Sequence, residues 1–154
     1  MWKYCENDNR YVSLHDCHAT QVLYEKGVLT FVFDEGIWIS EEYPHNMFDK
    51  IVRTDRAEVK CYLETEDESD VTIYIFKQKM SKTVREEWKL SKLVECVNNE
   101  KYTLEFLYQY KGYNSMIIEC CLWSYKKPYD RECQLKLSIT EVQYCWNNLC
   151  EGRE

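Results

Sequence analysis

The tetrapeptide His15-Asp16-Cys17-His18 gathers four side chains able to bind a metal, move a proton or attack a carbonyl. Neighbouring residues of an extended chain point to opposite faces, so at most two of the four reach one ion. His45, in the Pro44-His45-Asn46 loop, is the available third ligand. No Cys-x-x-Cys pair accompanies them, and the expectation is a protein with no metal and no cofactor. A Cys17–histidine nucleophile would need a thiolate beside an imidazole and a set of oxyanion donors. No glycine-rich or helix-N-terminal feature supplies those donors near Cys17, so an enzyme is the less favoured reading. The expected role of His15 and Asp16 is structural. A short Asp side chain accepts a backbone N–H one or two residues on, and His15 can donate to a carbonyl across the turn.

Two further constellations carry charge. Glu105, Glu119 and Trp123 fall on one face of an alternating segment. Paired carboxylates beside an aromatic ring are the pattern of sugar binding or acid–base work, and equally of a solvated sheet face. The run ETEDESD, residues 64–70, places Glu64, Glu66, Asp67, Glu68 and Asp70 together. A run like this is a solvated loop tip or a docking patch for a basic protein. It lacks the glycine turn of a calcium loop.

The elements that position these residues are strands. Val22, Tyr24, Leu29, Phe31 and Phe33 alternate with polar residues around Lys26-Gly27. A two-residue turn there sets Glu25 against Val28 and Val22 against Phe31, which gathers every large apolar group on one face; a one-residue slip would separate them. Residues 11–14 read as a first short strand, residues 1–10 as a polar lead-in and residues 40–53 as a loop. Residues 57–64 and 71–77 alternate on either side of the acidic run and predict a second hairpin. Thr83 with Glu86 makes a capping-box pattern, while Val84, Glu86 and Trp88 alternate as a strand does. A strand over 83–88 pairing back on 71–77 is preferred, followed by a helix over 90–98, where Leu90, Leu93, Val94 and Val97 have helical spacing. Tyr102, Leu104, Phe106, Tyr108 and Tyr110 predict the inward side of a third hairpin, with Phe106 opposite Cys120 and Tyr110 opposite Met116. Two closing strands follow, over 132–139 and 142–146. The sum is one mainly β domain, residues 1–154: an antiparallel sandwich or partly open barrel of eight or nine strands built from sequential hairpins.

Composition limits the function classes. Net charge is −7 and no basic stripe is visible, which argues against nucleic acid. No apolar run is long enough to span a bilayer, and MWKYCENDNR contains neither an apolar core nor a cleavage site. Nine cysteines are an odd number, mostly inside strand-like alternation. The expectation is nine free thiols acting as small hydrophobes in a cytoplasmic protein.

YVSLHDCHA near the start, TLEFLYQYKGYNSMIIECCLWSYKKPY in the middle and ECQLKL with VQYCWN near the end resemble a family of small uncharacterised proteins of Gram-positive bacteria. The resemblance covers most of the chain and transfers no catalytic residue. Small acidic proteins of this kind are often encoded beside toxins, and some resemble immunity proteins. It therefore implies a protein-binding module that neutralises a basic toxin domain. The alternative is a small-ligand-binding β-barrel or sandwich with its pocket near His15–His18.

Overall fold

The computed structural model describes residues 1–153. The strands begin with β1 (Tyr4–Glu6), β2 (Val12–Ser13), β3 (Cys17–Ala19), β4 (Gln21–Glu25) and β5 (Val28–Phe33). They continue with β6 (Trp38–Ile39), β7 (Val52–Thr54), β8 (Ala57–Leu63), β9 (Val71–Lys79) and β10 (Lys82–Trp88). After the helix α1 (Leu90–Asn98) come β11 (Thr103–Gly112), β12 (Ser115–Trp123), β13 (Asp130–Trp146) and β14 (Leu149–Cys150). The protein is mainly β, an open antiparallel sandwich of fourteen strands that does not close into a barrel among the described residues. Eight of these strands are five residues or longer; the others, of two or three residues, are too short to carry an alternation pattern.

The β4–β5 hairpin forms in the predicted register, with Glu25 facing Val28 and Val22 facing Phe31. Lys26 and Gly27 both take positive φ, 50° and 75°, as the tight primed turn requires. The β9–β10 hairpin and the helix also form where expected. Leu90, Leu93 and Val97 of α1 are buried, and the Asn98 side chain bonds both the N–H and the C=O of Val22 at 2.8 and 2.9 Å. Asn98 thus takes the place a neighbouring strand would have beside β4.

The organising element is β13, seventeen residues long where two strands were expected. Its inward residues are Cys133, Leu135, Leu137 and Ile139, then Val142, Tyr144 and Trp146. Parity changes between them because the register shifts at Thr140 and the strand continues through a bulge. This strand also overturns the second expected hairpin. β8 and β9 do not pair with each other; both run antiparallel to β13. Leu63 faces Ile139 and Val71 faces Leu137, so the two runs lie end to end along one edge and residues 64–70 loop out between them.

A second bulge lies in β11. Phe106 faces Cys120 as predicted, but Tyr108 faces Glu119 and Tyr110 faces Ile117. Leu107 is the extra residue, and past it the faces exchange. Tyr108 and Tyr110 turn outward, and Gln109 donates to the Tyr144 hydroxyl at 2.9 Å. Phe106 stays inside, edge-to-face with Phe31 and Phe33 at 5.0 and 5.2 Å, and joins the β5 and β11 regions into one core.

Residues 1–10 are more than a lead-in. β1 pairs with the end of β13, setting Cys5 opposite Cys145, and the two are joined as a disulfide. The expectation of nine free thiols is corrected by that pairing, which brings the α-carbons to 4.3 Å. Seven cysteines remain free. No helix among the described residues is long and apolar enough to cross a membrane.

Candidate functional site

The His15–Asp16 turn is seated on the bulge of β11. Asp16 takes φ 58°, a left-handed conformation that Asp tolerates better than most residues. Its N–H donates to the Phe106 carbonyl at 2.8 Å. His15 Nδ1 lies 2.6 Å from the Leu107 carbonyl, which only accepts, so Nδ1 carries the proton. The turn thereby satisfies the carbonyls of both Phe106 and Leu107. The Asp16 carboxylate accepts no backbone N–H of the turn, contrary to expectation; it lies 3.4 Å from His15 Nε2.

The four residues of the cluster diverge. Cys17 points into the core, where burial pushes its thiol up to about 11 while Arg53 pulls the other way. A thiol in that state is a packing residue and not a nucleophile. His18 points outward, its Nε2 3.8 Å from Glu105 Oε1. His45 is elsewhere, packed against Tyr4 and Tyr43 with ring centroids 5.3 and 5.5 Å away. No three His, Cys, Asp or Glu side chains among the described residues are placed to hold an ion.

On the outer face of the β11–β12 pair, the Trp123 indole N–H donates to the Glu105 carboxylate. Glu105 therefore serves both Trp123 and His18. Glu119 lies away from this group, facing Tyr108 across one ladder and Gln134 across the other. The two carboxylates share a face but have no common partner.

The acidic run is built to a definite shape. Glu64 N–H donates to the Ser138 carbonyl at 3.0 Å, which extends the β8 ladder by one step. Thr65 then donates through both its N–H and its hydroxyl to Asp70 Oδ2, at 2.7 and 2.8 Å. Glu66 takes φ 57° and its carbonyl accepts the Tyr24 hydroxyl at 3.1 Å. The Asp67 carboxylate caps the short 3-10 turn Glu68–Asp70 through the Ser69 N–H at 2.8 Å; that bond holds its carboxyl below the usual range. The loop rests on the β4–β5 turn so closely that a Cβ on Gly27 would lie 2.6 Å from Glu66 Cβ. Glu64, Glu66, Asp67 and Glu68 face solvent from this fixed backbone, whereas Asp70 is buried. Its carboxylate is committed to Thr65, which corrects its place among the docking residues. The concentration of charge is felt nearby: desolvation first, then Glu68, Asp67, Asp70 and Glu66, raise the Tyr24 hydroxyl above its ordinary value.

A groove of about 390 Å³ runs beside the β11 bulge, lined by Val12, Leu14, His15, Leu107, Tyr108 and Gln109. It is open to solvent, and His15 Nδ1 is engaged along its wall with the Leu107 carbonyl. The sequence places a pocket near His15–His18, and of that tetrapeptide only His15 lines the groove; its β11 wall depends on the bulge, for which LEFLYQY gives no glycine or other local marker. No protein-family model, curated protein or solved structure matches the chain.

Proposed function

We propose that the protein is a cytosolic protein-binding module of the immunity type, which docks on a basic protein, most concretely a toxin domain, through the outward carboxylates of residues 64–68. The observation that carries this reading is the pinning of the acidic loop. Asp70, the Asp67 cap, Tyr24 and the Gly27 turn fix its backbone from four directions. A solvated tip has no need of such bracing. A docking surface gains from it, because carboxylates already in place lose little freedom on binding. With a net charge of −7, the field of the whole chain adds to that of the loop and steers a basic partner toward it. Asn114, 3.5 Å from Glu64, ties the β11–β12 turn to the same end of the molecule.

A second reading is a small-ligand site in the groove beside His15, favoured by the presence of a concavity there. It is the weaker reading because the groove is open to solvent and two of its polar side chains, His15 and Gln109, are already committed to the Leu107 carbonyl and the Tyr144 hydroxyl.

The test is co-purification with the product of the adjacent gene at low salt, with wild type and with Glu64, Glu66 and Glu68 all changed to Lys. The reading expects capture by wild type and loss in the charge-reversed chain. Failure of wild type to bind, or equal binding by both, would overturn it.

A further inference from the structure

An unpaired strand edge is a template for another chain, and proteins guard such edges. Two edges of the large sheet are guarded here. The β4 edge is covered by α1 through Asn98. The β10 edge carries Lys82, Arg85, Glu86 and Glu87. β11 is treated differently. β3 pairs only with Leu104–Phe106, and the His15 turn takes the carbonyls of Phe106 and Leu107. Beyond Leu107, no strand among the described residues pairs with that side of β11; Val12 and Ser13 of β2 line the groove beside it without joining the ladder.

The exposed groups follow from the register. Gly112 faces Ser115 across a two-residue turn, so the backbone bonds exchanged with β12 fall at Gly112, Tyr110 and Tyr108. The N–H and C=O of Gln109 and Lys111 point the other way, to the open edge.

We propose that this edge pairs with the β11 edge of a second copy of the chain, antiparallel about a two-fold axis at Tyr110, each copy placing Tyr113 in the groove beside the other's His15. Three registers would match the free groups, and the residues select among them. Setting Lys111 opposite Lys111 of the other copy opposes like charges. Setting Gln109 opposite Gln109 brings Lys111 to Leu107, whose carbonyl His15 already holds. The remaining register sets Gln109 opposite Lys111, twice by symmetry, and satisfies every free group. It also stacks Tyr108 over Gly112, where no side chain obstructs the ring. In the same register Tyr113 comes level with Leu107 of the other copy. Tyr113 is 94% exposed, and the groove flanks Leu107. The exposed ring and the groove that would receive it are separate features of one chain, and this pairing matches them.

The test is sedimentation equilibrium of the full chain from micromolar to millimolar concentration, with amide exchange at low and high concentration. The expected result is a reversible dimer, with the Gln109 and Lys111 amides protected only at high concentration. Tyr113→Ala removes a side chain that the monomer leaves in solvent, so folding is unaffected, and it should weaken the dimer by about tenfold or more. Lys111→Pro removes the outward N–H and should abolish it; circular dichroism checks that the sheet is intact. Tyr125→Ala, at an equally exposed position (95%) outside the proposed contact, should change nothing. A monomer throughout, or a dimer indifferent to both Tyr113→Ala and Lys111→Pro, would overturn the proposal.

Discussion

Asp70→Ala removes the carboxylate that holds the acidic loop together. Two donors, the Thr65 N–H and hydroxyl, lose their acceptor at 2.7 and 2.8 Å. A hydrogen bond to a charged group contributes about 1.5–3 kcal/mol. Thr65 is exposed, so water replaces part of the loss and the lower end of that range applies. The expected cost is therefore about 2–3 kcal/mol for the pair. Glu68→Ala, which deletes an exposed carboxylate of the same loop, should stay within about 0.5 kcal/mol. Urea unfolding measures both; the slope should be unchanged, since the exposed surface is the same. Amide exchange should speed up at Thr65 and Ser69 in Asp70→Ala and nowhere in the β4–β5 hairpin. Equal stability of the two variants, or an unprotected Thr65 amide in the wild type, would refute the argument that Asp70 braces the loop.

Phe106→Ala should cost about 4–5 kcal/mol, the upper part of the range for a buried phenylalanine, because two edge-to-face partners are lost with it. Glu119→Ala, on the outer face, should cost no more than about 0.5 kcal/mol, and a cost matching that of Phe106→Ala would mean that the outer face is covered. Thiol titration under denaturing, non-reducing conditions should find seven thiols, and nine would remove the Cys5–Cys145 bond from the account. Burial pushes Cys17 up to about 11, and Cys61 and Cys133 up to about 12, from 9.0. The unfolded chain ionises these thiols first, so their contribution to stability is complete below pH 9.0 and declines as pH rises from there toward 11–12. Unfolding free energies that stay flat from pH 9 upward would contradict that burial.

The sandwich class and the registers of the first hairpin and of Phe106 with Cys120 were legible because alternation and turn chemistry agree there. The bulges were not equally legible. In β13 the change of parity from Ile139 to Val142 is visible in the sequence, yet it reads as a break between strands, since only pairing with β8 shows the chain continuing. In β11 the aromatic alternation through Tyr108 and Tyr110 conceals the bulge, because a tyrosine suits either face of a sheet. The false hairpin of 57–77 has a similar cause. Two alternating runs beside a short loop look alike whether they pair with each other or share a third strand, and that third strand lies more than fifty residues further along. The divergence of Cys17 and His18 in the His15 cluster follows from strand parity alone. The acidic loop was visible as composition. Its bracing by Asp70 and Tyr24 depends on contacts that composition does not encode.

The central claim is that a rigid acidic loop steers a basic protein partner to this surface. The most direct measurement is the association rate with the adjacent gene's product by stopped flow, across ionic strength, for wild type and for the chain with Glu64, Glu66 and Glu68 changed to Gln. Neutral substitutions remove the steering charge and keep the side-chain volume, so the account predicts a rate about tenfold or more slower at low salt with a similar dissociation rate. The difference should shrink toward zero as the Debye length falls below about 8 Å. Association rates that match at every salt concentration would contradict it.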